Sequence, residues 1–180
     1  MSHFFQSFRQ LKDPLHDNEY LYLLLEPLFM YGIGLGLIGF VIAYFVKNTP
    51  FQILTLTLVA LSSLTIFPYL SMRQKAEERI EKVYRIESPT RADDFKENTS
   101  NRKAHLWLYL VTAITAAFAV MIGPRRNRLG LAFGILCILF GARTIQYSLW
   151  MHYQDALFSQ PHLKKSASPV QQRLKEKEAD

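Results

Sequence analysis

Four long apolar runs occupy this chain, and each is near the length needed to cross a lipid bilayer: Leu28–Val46, Phe51–Leu70, Leu106–Ile122 and Leu129–Trp150. A helix rises about 1.5 Å per residue, so about 20 residues traverse a hydrocarbon core roughly 30 Å thick. The first three runs contain no Asp, Glu, Lys or Arg, and the fourth contains only Arg143. The pattern predicts an all-α, polytopic membrane protein with four transmembrane helices.

The length of 180 residues fits a single domain. The mean hydropathy of +0.03 looks unremarkable because polar loops average against the spans. A net charge of +6 does not point to nucleic acid here. The cations sit in loops beside the spans, where the positive-inside bias and anionic headgroups account for them. The one cysteine, Cys137, lies within the fourth run, which leaves no internal disulfide and no thiol pair for redox or metal chemistry. It reads as a small buried hydrophobe. The amino terminus is too polar for too long to form a cleavable signal peptide, so the first span is expected to serve as an uncleaved anchor.

Four spans place both termini and the middle loop, residues 71–103, on one side of the membrane. That side carries 16 of the lysines and arginines against 4 in the two short connections. The positive-inside rule then predicts cytoplasmic termini, although Arg125, Arg126 and Arg128 crowd one short turn on the opposite side. All 15 acidic residues fall on the first side. The chain divides into an interfacial segment (1–27), a first hairpin (28–70), a stem and loop (71–104), a second hairpin (105–152) and a polar, largely disordered tail (153–180). The interfacial segment owes its apolar side to Phe4, Phe5, Phe8 and Leu11.

The start of the middle loop carries a helical signature. Met72, Ala76, Ile80 and Val83 form an apolar stripe, and Glu78 with Lys82 and Glu81 with Arg85 are favourably ordered pairs four residues apart. No Gly or Pro interrupts residues 71–87, so the second span is expected to continue as a stem of about four turns, with a kink near Pro68. Ser88-Pro89 ends the stem. Thr90 and Asp93 then suit the start of a short helix before the polar stretch KENTSNRK. The stripe either packs on its own protein or receives a partner.

Two glycine pairs, Gly32 with Gly36 and Gly130 with Gly134, have the spacing that lets membrane helices approach closely, within the chain or between copies. Arg143 lies about 21 Å along its span and roughly 10 Å short of the inner edge. A guanidinium at that depth costs several kcal/mol unless it snorkels to headgroups or finds partners. Glu26 is its nearest candidate carboxylate, with Gln146 and Tyr147 completing an intramembrane polar cluster. His105 and His152 begin the third span and end the fourth. Facing each other, they are weak candidates for axial ligation of haem b, or for a zinc site with Asp155. Both lie at the rim, in no recognisable ligand motif.

Signatures of metalloproteases, of serine hydrolases and of paired catalytic aspartates are missing from the sequence. The leading expectation is therefore a non-catalytic membrane subunit without a cofactor. Its partners would be lipids and other membrane subunits or copies of itself. One alternative is a homo-oligomeric channel or small transporter with Arg143 near the pathway. Another is a haem- or quinone-associated redox subunit.

Overall fold

The computed structural model describes residues 17–87, 89–124 and 127–159. The segment containing Phe4, Phe5, Phe8 and Leu11, and the tail beyond Pro161, lie outside the described residues. Six helices follow one another: α1 (Asn18–Phe45), α2 (Thr49–Leu64), α3 (Ile66–Glu87), α4 (Pro89–Ala104), α5 (Leu106–Ile122) and α6 (Arg128–Ser159). There is no strand among the described residues. Four helical stretches, Tyr20–Phe45, Thr49–Ile86, Ala92–Ile122 and Arg128–Leu157, are long and apolar enough to cross a membrane. This is the architecture of a multi-pass membrane protein.

Local chemistry sets the breaks. Proline has no N–H to donate, and its ring collides with the carbonyl four residues back. For Pro68 that carbonyl belongs to Leu64, where α2 ends. Thr65 then turns the chain: its N–H reaches the carbonyls of Ser62 and Ser63, and its hydroxyl donates to Ser62 O at 2.6 Å. The expected kink is thus a short break ahead of the proline, after which α3 resumes. At the other end of α2, the Asn48 side chain accepts the Phe51 N–H at 3.1 Å, with Pro50 in the first turn. Lys47 makes the preceding turn in the left-handed region at φ 64°, and Gly123 closes α5 at φ 83°.

Three expectations from sequence change. The stretch KENTSNRK is part of α4, which begins at Pro89 and folds back along α3; the Tyr84 and Phe95 rings meet edge to face at 5.9 Å. The helix α1 begins at Asn18 rather than at Leu28, because the run YLYLLL continues the helix and Pro27 removes only one backbone bond. Residues 153–159, read as the start of a polar tail, form the last turns of α6.

In the bundle, α1 packs on α2 and α6, α5 packs on α2 and α6, and α3 and α4 cover one end. Small residues set these crossings. A methyl group at Gly36 would lie 2.5 Å from Val59 Cγ2 and 3.0 Å from the Thr55 carbonyl, and one at Gly32 would collide with the Ser62 hydroxyl. Gly134 receives Phe40 of α1, while Gly130 lies against the turn at Gly123 and Pro124. Both glycine pairs therefore serve packing inside the chain. Polar rungs join α5 to α6, where the Tyr109 and Ser148 hydroxyls are 2.7 Å apart and those of Thr112 and Thr144 are 2.9 Å apart. Gln52 adds a link to α1 by donating to the Ala43 carbonyl at 3.0 Å.

Candidate functional site

Two arginines from the middle region, Arg73 on α3 and Arg102 on α4, are 0% and 1% exposed. A guanidinium buried to this degree is strongly destabilising unless carboxylates and hydrogen-bond acceptors surround it. Asp155, in the last turns of α6, answers both. Arg73 donates Nη1 to Asp155 Oδ2 at 2.8 Å and Nη2 to Oδ1 at 2.9 Å, a bidentate pair. Arg102 Nη2 donates to the same Oδ2 at 2.7 Å and to Glu26 Oε1 of α1 at 2.9 Å. His152 Nδ1 stands 3.3 Å from that Glu26 oxygen, at the exposed rim.

Neutral groups fill the remaining positions. Arg73 Nε donates to Thr99 Oγ1 at 2.9 Å, and its Nη1 also reaches the Tyr69 hydroxyl at 2.9 Å. Arg102 Nε donates to Asn98 Oδ1 at 3.0 Å. Aromatic faces cover the cations: Arg73 lies 4.3 Å from the Phe95 ring centre, and Arg102 lies 5.3 Å from that of Tyr69. One donor is left over, since Arg102 Nη1 is buried and has no acceptor. In their ionised forms, Glu26 and Asp155 balance the two guanidiniums. The arrangement joins α1, α3, α4 and α6 at a single point.

The residues expected from sequence are distributed differently. Glu26 pairs with Arg102, so the anticipated Glu26–Arg143 pair does not form. Arg143 is exposed, and its Nη1 donates to Gln146 Oε1 at 2.7 Å. Tyr147 turns to α4 and the α4–α5 junction, where its hydroxyl donates to the Asn101 carbonyl at 2.8 Å and its ring stacks on His105 at 4.4 Å. His105 thus neighbours Tyr147, whereas His152 neighbours Glu26. Among the described residues no group of three His, Cys, Asp or Glu side chains is placed to hold a metal ion. On the stem, Ala76 is buried, and Met72 and Ile80 pack against the core, while Val83 is 51% exposed.

No protein-family model matches this chain, and no curated protein or solved structure compared with it is similar. The site stands on its geometry alone.

Arg73 and Arg102 were missed in the sequence because they fall in a loop whose cations are explained collectively by the positive-inside bias. A local signal was present. Arg73 is in phase with Tyr69, Ala76 and Ile80, on the stripe that α3 turns inward. Arg102 likewise shares a face with Phe95, Asn98 and Thr99.

Proposed function

We propose that this chain is a non-catalytic membrane subunit whose α3–α4 hairpin is a rigid, cytoplasmic docking element for another protein. The observation that carries this reading is the buried network. Its two arginines and two carboxylates pair across four helices, which suits a clamp. Such a clamp would hold the hairpin in a defined shape. The hairpin also displays apolar side chains beyond the bundle, with Val83 51% and Ile86 87% exposed. They lie three residues apart and so share one side of α3. Exposed apolar side chains that adjoin on a charged helix offer a surface that a partner could cover.

The excess of cations on the stem side supports a cytoplasmic hairpin. A photo-crosslinking residue at position 83 or 86, introduced in the native membrane, tests the docking role. Adducts with one defined protein are expected at these positions and not at Lys75, which is also exposed on α3. Identical patterns at all three positions would remove the docking role. Val83→Asp should release such a partner while leaving the melting temperature of the purified chain unchanged.

A further inference from the structure

We propose that the exposed face of α6 around Arg143 binds the phosphate of an anionic phospholipid. This rests on the membrane-spanning architecture and is independent of the docking role. Arg143, Gln146, Tyr147, Leu149, Trp150 and Tyr153 line one open groove of about 590 Å³. That volume falls in the range of roughly 300–1,000 Å³ common to small-molecule sites. The groove runs along the helix, since steps of three and four residues keep side chains on one face. Its walls are graded. Trp150 and Tyr153, with ring centres 6.0 Å apart, belong to the aromatic belt expected at headgroup level, and Arg143 lies about 10 Å deeper along α6.

Charge decides the occupant. The two buried arginines, Arg73 and Arg102, have carboxylates within 3 Å. Among the described residues, Arg143 is bonded to the neutral amide oxygen of Gln146, which takes a single N–H at Nη1. The opposite edge of its guanidinium fork is therefore available to a second acceptor. Glu26 and Asp155 are held in the buried network. Guanidinium and phosphate match in a bidentate geometry, and at this depth the acceptor at hand is a lipid headgroup drawn down beside the helix. Leu149 and the rings of Trp150 and Tyr153 supply apolar contact for the glycerol and the upper acyl chain.

The full chain purified in a mild detergent allows the test, with phosphatidylglycerol and phosphatidylcholine as probes and lipid adducts counted by native mass spectrometry. The parent should retain one phosphatidylglycerol in preference to phosphatidylcholine. Arg143→Gln should weaken that adduct about tenfold or more, and Arg143→Lys should weaken it less, because it keeps the charge and loses the fork. The side chain is exposed, so each variant should elute and melt as the parent does. Equal retention of the two lipids by the parent would overturn the proposal, as would unchanged phosphatidylglycerol binding by Arg143→Gln. Displacement of the lipid by millimolar inorganic phosphate would show a site for free anions instead, and would also overturn it.

Discussion

Asp155 is the side chain on which the buried network turns, because it accepts three N–H groups from two arginines on different helices. Asp155→Asn keeps the shape and removes the charge, leaving two guanidiniums with one carboxylate between them. Breaking a buried pair from one side destabilises by about 3–5 kcal/mol. Asp155→Asn should therefore lower the melting temperature in detergent well below that of Glu26→Gln, whose loss leaves Arg102 still bonded to Asp155. An equal or reversed order would mean that the charges are screened by water. The pair of Glu26 and Arg102 can be isolated by a double-mutant cycle of Glu26→Gln and Arg102→Met. The double variant should be more stable than the sum of the single changes implies, since each single change strands a charge and the double change removes both. Additive melting shifts would show that the two side chains do not sense each other. At this scale the sequence was only partly legible. Spacing offered Glu26 as a carboxylate for a membrane-associated arginine, but named Arg143, whereas Glu26 accepts from Arg102. Which arginine met Glu26 depended on α4 folding back, and nothing within a single helix specifies that.

Among the elements, the spans were the most legible because their signal is bulk apolarity sustained over about 20 residues, a length imposed by the bilayer. The α4 helix was the least legible. Its sequence is polar nearly throughout, and its inward face carries Asn98, Thr99 and Arg102, residue types that ordinarily mark a solvated side. They are buried because the partners they need lie on other helices. The glycine rows lie between these extremes: spacing revealed that they make close contacts, and the fold shows with what. Gly36→Ala places a methyl group against the Thr55 carbonyl and the Val59 backbone, which cannot withdraw without parting α1 from α2. Gly34→Ala meets only Ile145 Cδ1 at 3.8 Å, an ordinary contact. The first change should lower the melting temperature and raise the aggregated fraction on size exclusion. The second should do neither, since a glycine-to-alanine change within a helix is otherwise favourable by up to about 1 kcal/mol. Similar behaviour of the two variants would argue against a tight α1–α2 crossing.

For the whole molecule, the four spans return both described ends of the chain to the end covered by α3 and α4. Asp17, just before α1, stands 3.9 Å from Arg79 of the stem, and Asp155 near the end of α6 holds Arg73. In the orientation we propose, single cysteines in a Cys137→Ser background should react with an impermeant maleimide from the cytoplasm at Glu77→Cys and from outside at Asn127→Cys. Reaction at position 127 from the cytoplasm alone would invert the molecule. The network has a further consequence in time. Its four charged members sit at positions 26, 73, 102 and 155, so the carboxylate serving both arginines leaves the ribosome last. Until then the hairpin has two cations and one carboxylate to share, and it has reason to stay in water rather than dock. The full network can therefore close only once residue 155 has emerged.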